Sequence, residues 1–171
     1  VTPLKPQFEM AVASGLPNLY NMVTRGADEV FALGGSFGDI TQAGGPYVAR
    51  IDARTMQVLW RTPLPGIGGS DWNYPGAMGV HANGDLYAVY GPHLARLDPA
   101  TGAVKMHAAL PTNQPKGDVA YNGFVVLSDG RIVAKSIHRK PGCTAPDFKA
   151  FLSCDTQGVA ASKGELIDPD T

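Results

Sequence analysis

The chain has 171 residues, of which 44% are hydrophobic and 17% charged, with 21 glycines, 14 prolines and a net charge of -1. This apolar content is ample for a folded core, and a net charge near zero excludes the basic surface that nucleic acids and anionic membranes attract. No apolar run approaches the roughly 18 residues of a membrane span, so neither a nucleic-acid partner nor a membrane span is expected.

The first predicted elements are short strands joined by turns. Residues 21–33 read as two strands around a turn, and an outer strand at 57–62 follows an Asp-x-x-Thr turn that begins at Asp52. In such a turn the aspartate side chain caps its own backbone, which favours a hairpin. The first unit is therefore predicted to be a set of antiparallel strands.

The next two units repeat this pattern with clearer turns. Residues 78–90 read as strand, turn and strand, with the turn at Asn83-Gly84, and residues 123–135 repeat this with a turn at Asp129-Gly130. Asn-Gly and Asp-Gly between apolar runs are among the strongest short-range hairpin signals. A second outer strand is predicted at 103–108, and no window sustains a helical period.

One phrase recurs along the chain and sets the length of the repeat. It is Ala-Arg-Ile-Asp52 in the first unit, Ala-Arg-Leu-Asp98 in the second and Leu-Ile-Asp168 in the third. The first two aspartates are 46 residues apart, a period typical of a four-stranded propeller blade. The second and third are 70 residues apart, which indicates an insertion in the third unit.

The sequence therefore predicts an all-β chain that forms part of a β-propeller. Its three four-stranded blades are expected at residues 14–64, 65–112 and 113–171, the last with an insertion at 136–164 and truncated at its end. Propellers close with about four to eight blades, because only closure covers the exposed strand edges. A ring of six or seven blades is expected, with the remainder in another chain, in a missing segment or in copies of this chain.

Both cysteines, Cys143 and Cys154, fall in the predicted insertion. A short disulfide would order such a long exposed loop, and it would indicate a periplasmic or extracellular protein. The competing interpretation is a metal site, but a structural zinc site needs four clustered ligands, and only His138 and Asp147 lie nearby in the sequence. The sequence favours the disulfide.

The loops that precede the innermost strand of each unit, and the loops between its second and third strands, are predicted to gather at one mouth of the ring, where propellers usually keep their sites. His93 and His138 lie in such loops and are candidates for a catalytic base, since histidine titrates near neutral pH. His81 is expected on a strand surface at the far end, and His107 is expected in solvent on an outer strand.

A motif in the third unit resembles a known family. The run Tyr121-Asn122-Gly123, followed by apolar residues and Ser128-Asp129-Gly130, is similar to a phrase of the gluconolactonase and strictosidine synthase-like propellers. In the metal-dependent members of that family, this asparagine is a ligand of a calcium-type ion in the central channel. The resemblance implies a calcium-dependent hydrolase of lactone or ester type.

The same alignment of blades implies further site residues. Asn21 and Asn73 occupy the corresponding approach in the first and second units, so they would join Asn122 in holding Ca²⁺, an ion that takes six to eight oxygen ligands. The family also uses carboxylates for the metal and as a general base. Asp71 is the candidate for the catalytic carboxylate, and Asp118 lies in a comparable loop, although no motif fixes either.

A second family resemblance competes with the first. Asp52-x-x-Thr55 followed by Trp60 is similar to the tryptophan-docking repeat of pyrroloquinoline quinone dehydrogenases, which ties adjacent blades together. Here Met56 replaces the repeat's glycine, and the second unit has Met106 in place of the tryptophan. The signature also occurs in propellers without a quinone, and no vicinal cysteine pair or haem motif is present, so quinone is not expected.

Three functions remain open from the sequence. The first is a secreted or periplasmic calcium-dependent hydrolase whose small-molecule substrate enters past Trp72 and Tyr74, because aromatic side chains offer an apolar face and a polar edge. Trp72 could equally pack between blades. The second is a non-catalytic propeller for binding or assembly, and the third is a quinoprotein-like oxidoreductase.

Overall fold

The computed structural model describes residues 15–35, 45–68, 71–74, 76–114, 116–139 and 161–169. Within these ranges the chain forms eleven β-strands and a short 3-10 turn, Lys116–Asp118, but no α-helix. The predicted all-β class is confirmed. In the same residues, no helix is long and apolar enough to cross a membrane.

The strands form three antiparallel sheets in which neighbours in the chain are neighbours in the sheet. The first sheet contains β1 (Leu19–Arg25), β2 (Glu29–Gly34), β3 (Tyr47–Asp52) and β4 (Val58–Pro63). The second contains β5 (Ala77–Val80), β6 (Leu86–Tyr90), β7 (His93–Leu97) and β8 (Val104–Ala109). The third contains β9 (Val119–Val126), β10 (Ile132–His138) and β11 (Gly164–Ile167).

The second sheet lies between the other two. Its first strand, β5, contacts β1 on one side and β9 on the other, so the first strands of the three sheets lie side by side. Apolar side chains fill both junctions: Phe31, Leu33 and Leu86 belong to the core between the first and second sheets, and Val89 and Ile132 to the core between the second and third. Burial of these faces is the main stabilising contribution to the stack.

The two Asp-x-x-Thr turns share one geometry despite a sequence difference. The Asp52 carboxylate accepts hydrogen bonds from the backbone of Arg54 and Thr55, and Asp98 caps its own turn in the same way. The fifth position is left-handed in both turns, with φ 74° at Gly102 and φ 60° at Met56. Met56 therefore holds a backbone conformation that favours glycine.

The side chains of β4 bind the turn of the next sheet. The indole Nε1 of Trp60 donates a hydrogen bond to Pro99 O at 3.3 Å, and Thr62 Oγ1 donates one to Gly102 O at 2.8 Å. A Cβ atom at Gly102 would lie 2.7 Å from the indole Cε3. The tryptophan therefore joins the first sheet to the second across 39 residues of sequence.

A Leu-Pro dipeptide recurs at 16–17, 64–65 and 110–111, with all three leucines buried. The carbonyl of each proline accepts a hydrogen bond from a fully buried tyrosine hydroxyl at 2.6 to 2.7 Å. The three tyrosines come from different strands: Tyr47 from β3, Tyr90 from β6 and Tyr121 from β9. The proline carbonyl that accepts this hydrogen bond therefore recurs in all three units, whereas the tyrosine that donates it stands on a different strand in each.

At the opposite end of the strands, the first and second sheets each bond to a turn of the sheet that follows. Arg25 Nη1 donates to Gly84 O at 3.3 Å, and His81 Nε2 lies 2.5 Å from Gly130 O. The expectation that His81 lies on a strand surface is wrong, because the ring is buried, with 7% exposed, in the junction between the second and third sheets.

Cys143 and Cys154 lie outside the described residues, together with most of the predicted insertion. Their disulfide stays a prediction, as do the blade boundaries.

Candidate functional site

The candidate site lies at the end of the second sheet where β6 turns into β7. The segment after β4 crosses this turn and approaches it closely: Gly91 N donates to Tyr74 O at 2.7 Å. A Cβ atom at Gly91 would lie 2.6 Å from Ile67 Cδ1 and 2.8 Å from Trp72 O. The absence of a side chain at Gly91 therefore lets the crossing segment bring Asp71 onto the first residue of β7.

Asp71 and His93 form a buried pair. His93 Nε2 lies 3.0 Å from Asp71 Oδ2, and the two side chains are only 5% and 9% exposed. Two hydrogen bonds with Gly68 orient the carboxylate, since Asp71 N donates to Gly68 O at 2.8 Å and Gly68 N donates to Asp71 Oδ2 at 3.2 Å. Two side chains predicted to be catalytic are thus in direct contact.

A second histidine extends this pair. His107 Nε2 lies 3.2 Å from His93 Nδ1, with the ring centroids 5.1 Å apart. The contact follows from strand register: β7 and β8 pair His93 with Ala109 and Ala95 with His107, so the two histidines are diagonal neighbours on one face. Asp71, His93 and His107 form a continuous chain, called here the relay.

The distances of the relay are compatible with one arrangement of its protons that leaves a base at the outer end. A carboxylate only accepts hydrogen bonds, so His93 Nε2 carries a hydrogen directed at Asp71. In the tautomer that has no hydrogen on His93 Nδ1, this nitrogen accepts a hydrogen bond from His107 Nε2. His107 Nδ1 is left with the lone pair, which makes it the proton acceptor at the end of the relay.

The environment of His107 keeps this lone pair available. Partial burial is the main cause that lowers the pKa of His107 from its ordinary value of 6.5, and any positive charge on His93 would lower this pKa further. The ring is still among the exposed residues of β8, as expected from the sequence. His107 is therefore neutral at neutral pH and open to solvent, as a general base requires.

Gly66 makes room for the two imidazole rings. It has a left-handed backbone with φ 89°, and a Cβ atom there would overlap Nε2 and Cε1 of His107 and would lie 3.2 Å from His93 Nδ1. Any larger residue at this position would push the rings apart. Gly66 is thus a positioning residue for the relay.

The predicted substrate-binding aromatics lie beside the relay. Trp72 follows Asp71 directly and is 5% exposed, with the Tyr74 ring edge-on at a centroid distance of 5.4 Å. The guanidinium of Arg139 lies over Trp72, 4.9 Å from the ring centroid, and it bonds to Asp118. Trp72 is therefore largely covered by its neighbours.

The predicted calcium ligands differ in their surroundings. Asn21 Oδ1 is buried without a hydrogen-bond partner among the described residues, so this oxygen is available for a donor or a cation. Asn122 Oδ1 lies 3.5 Å from the ammonium of Lys135, whose positive charge opposes a neighbouring metal ion. Asn73 is buried.

Within the described ranges, no group of three or more His, Cys, Asp or Glu side chains could hold a metal ion. One available amide oxygen is far from the six to eight oxygens that Ca²⁺ takes, so the described donors do not by themselves fit calcium.

His138, the third predicted catalytic residue, is placed apart from the relay. It ends β10, and its Nε2 lies 3.4 Å from Ser136 Oγ. His107 was not predicted as a site residue. The sequence held a signal for it, because counting strand positions on either side of the turn at Asp98 places His107 on the same face as His93.

A scan against models of protein families found no match, and a search of curated proteins found none either. The functional interpretation therefore rests on the geometry of the relay and its neighbours.

Proposed function

We propose that the chain is a three-blade part of a β-propeller and hydrolyses an ester or lactone at the mouth of its second blade. The observation that carries the catalytic proposal is the relay, in which a buried carboxylate orients one histidine and that histidine orients a second. An imidazole held in one tautomer with its lone pair exposed is the arrangement that general-base catalysis of hydrolysis requires.

The order of the sheets supports a propeller. Two four-stranded antiparallel sheets and one three-stranded sheet follow one another along the chain, and their first strands lie side by side, as the inner strands of adjacent blades do. The contact of Trp60 with the turn at Pro99 has the character of a blade-tying tryptophan. Closure into six or seven blades belongs to this proposal, as does a secreted or periplasmic location, which rests on the predicted disulfide.

The reaction follows from the proton positions. His107 Nδ1 takes a proton from a water molecule, whose oxygen adds to the carbonyl carbon of the ester or lactone. The positive charge that develops on the His107 ring is stabilised through His93 by the Asp71 carboxylate. When the carbon–oxygen bond to the leaving group breaks, His107 returns the proton to the departing alkoxide.

The central test is hydrolysis of p-nitrophenyl acetate and γ-butyrolactone. His107→Ala is expected to lower kcat by about 10²- to 10⁴-fold, the usual contribution of a general base. Added imidazole should restore part of the activity of this variant, because it can occupy the vacated space. An unchanged kcat in His107→Ala, or no hydrolysis by the wild type, would overturn the proposal.

Calcium dependence stays a prediction of the family resemblance. Asn21 could supply one ligand, and the other oxygens that Ca²⁺ takes would have to come from outside the described residues. Dialysis against a chelator followed by readdition of Ca²⁺ tests this separately from the relay. Loss of activity on dialysis and its recovery with Ca²⁺ would support the metal chemistry of the family. Full activity after dialysis would show that the relay catalyses hydrolysis without the ion.

A binding or assembly propeller is the second candidate, and exposed apolar side chains favour it. Met22 on β1 is 58% exposed, as is Val125 on β9, so the first and third sheets both present uncovered apolar surface. The remainder of the ring or an assembly partner could cover it. Light scattering at increasing protein concentration tests whether copies of the chain associate through this surface. A mass that stays that of a monomer would oppose both a ring made of copies and self-assembly.

A further inference from the structure

The joint between the second and third sheets uses a histidine where the joint between the first and second uses an arginine. Arg25 and His81 both stand where the first strand of a sheet enters its hairpin turn. Arg25 Nη1 donates to Gly84 O at 3.3 Å, and His81 Nε2 lies 2.5 Å from Gly130 O. A guanidinium stays charged, whereas an imidazole titrates near neutral pH. Of these two joints, the second alone can change its charge in that range.

The hydrogen bonds of His81 require the neutral ring. Asn83 N donates to His81 Nδ1 at 3.0 Å, and a backbone N–H can only donate. His81 Nδ1 therefore carries the lone pair, and Nε2 carries the hydrogen that it donates to the Gly130 carbonyl. Protonation would place a second hydrogen on Nδ1, opposite the hydrogen of Asn83 N. The ring cannot be protonated and keep both bonds.

A cavity of about 340 Å³ lies against this ring. It is lined by His81, Asp129, Gly130, Arg131, Asp168 and Pro169. The side chains of Asp129 and Arg131 are each 48% exposed, so the cavity opens to solvent. A proton can therefore reach a ring that is otherwise buried, and the ring has space into which it can turn.

The charges of the cavity favour an imidazolium. Two carboxylates, Asp129 and Asp168, face one guanidinium, that of Arg131, which pairs with Asp129 at 2.6 Å. A carboxylate accepts several hydrogen bonds, so the pair with Arg131 leaves Asp129 able to accept another. A protonated His81 that turned into the cavity would meet acceptors of opposite charge.

Other charged groups near the turn of His81 have partners of their own. Asp85 bonds to Arg96 at 2.5 Å and to Lys105 at 2.6 Å, and Arg25 bonds to Glu29 at 2.6 Å. The phenol ring of Tyr87 packs against the imidazole, with the centroids 5.3 Å apart. The net negative charge that faces His81 therefore lies on the side of the cavity.

We propose that His81 makes the joint between the second and third sheets sensitive to pH. The neutral ring donates to Gly130 and joins the two sheets. The protonated ring gives up the bond from Asn83, turns towards Asp129 and Asp168, and leaves Gly130. The contribution of the joint to stability is thus complete while the ring is neutral and is lost as the pH falls through the range in which histidine titrates. This inference does not depend on the proposed hydrolysis.

Hydrogen exchange followed by mass spectrometry at pH 7.5 and pH 5.5 tests the joint, with the rates corrected for the intrinsic effect of pH. In the wild type, protection of β9 and β10 should fall by about tenfold at pH 5.5, the effect of one lost buried hydrogen bond, while protection of β2 and β3 stays constant. His81→Gln keeps an amide donor for Gly130 and cannot be protonated, so its protection should be the same at both pH values. No fall in the wild type, or an equal fall in His81→Gln, would overturn the proposal.

Arg25→Gln is the matched control at the first joint. It should lower protection of the first sheet equally at both pH values, because a guanidinium does not titrate between them. A loss of protection at pH 5.5 that is confined to the first sheet of the wild type would contradict the assignment to His81.

The tautomer of His81 can be tested without a variant that might fold poorly. Nitrogen NMR of the imidazole rings in the wild type at pH 7.5 should show the hydrogen of His81 on Nε2. A hydrogen on Nδ1 at this pH would overturn the proposal, because the bond from Asn83 could not then exist.

Discussion

The indole of Trp60 covers the Cα atom of Gly102 so closely that no side chain fits between them. A Cβ atom at Gly102 would lie 2.7 Å from indole Cε3 and 2.6 Å from Thr62 Oγ1. Gly102→Ala therefore combines a left-handed backbone with overlap, and we expect a loss of about 2 to 4 kcal/mol in the free energy of unfolding, measured by denaturant titration.

Gly84→Ala is the control for this prediction. Gly84 is also left-handed, with φ 89°, but an added Cβ meets no atom within 4 Å. Its loss should be about 1 kcal/mol, the backbone cost alone. Equal losses in the two variants would contradict the packing of Trp60 on the turn.

Replacing Met56 by glycine is the reverse of these glycine-to-alanine substitutions. Because this residue holds φ 60° where the second turn has a glycine, Met56→Gly should relieve backbone strain and raise the free energy of unfolding by up to about 1 kcal/mol. Thermal unfolding followed by circular dichroism measures this. Gln57→Gly, one residue along the chain and not left-handed, should instead lower stability.

Alkaline pH should destabilise the protein through its buried tyrosines. Burial raises the pKa of Tyr47 and of Tyr121 to about 12, above the ordinary value of 10.0. The unfolded chain therefore loses these protons first, so the contribution to stability is complete below pH 10 and is lost as pH rises towards 12.

Denaturant midpoints at pH 9 and pH 11 test the tyrosines. Tyr47→Phe should flatten the decline with pH while lowering stability at pH 9 by about 1 to 3 kcal/mol, because the carbonyl of Pro17 loses its donor. If the denaturant midpoint of Tyr47→Phe falls between pH 9 and pH 11 as steeply as that of the wild type, Tyr47 does not contribute to the loss of stability at alkaline pH.

The relay predicts a distinct pH dependence of hydrolysis. Since the pKa of His107 is lowered from 6.5, kcat/KM should stay high below pH 6.5 and fall only when the lone pair is protonated. Asp71→Asn removes the charge that stabilises the imidazolium and should lower kcat by about 10²-fold or more. A kcat unchanged by this substitution would show that the carboxylate has no part in the reaction.

Local sequence predicted the strands and turns well, because hairpin signals act over a few residues. The turns at Asn83-Gly84 and Asp129-Gly130 are confirmed, and the outer strand predicted at 57–62 is β4, shifted by one residue. Met56 shows that the turn tolerates a residue other than glycine when the flanking strands determine its backbone.

The site was only partly predictable, because its contacts cross long distances in the sequence. Asp71 and His93 were both predicted to act at the mouth, but their contact depends on how the crossing segment packs against Gly91. Arg139 reaches Trp72 from a different sheet, and no local pattern encodes that approach.

The hydrogen bonds that join neighbouring sheets at the far end of the strands affect how the repeats of such a chain can evolve. Arg25 and His81 differ in chemistry, yet each bonds to a backbone carbonyl of the following turn, at Gly84 and Gly130. A carbonyl is present whatever side chains the turn carries. Each unit therefore recognises the shape of its successor rather than its sequence, so units could be duplicated or exchanged by recombination without redesigning the joint.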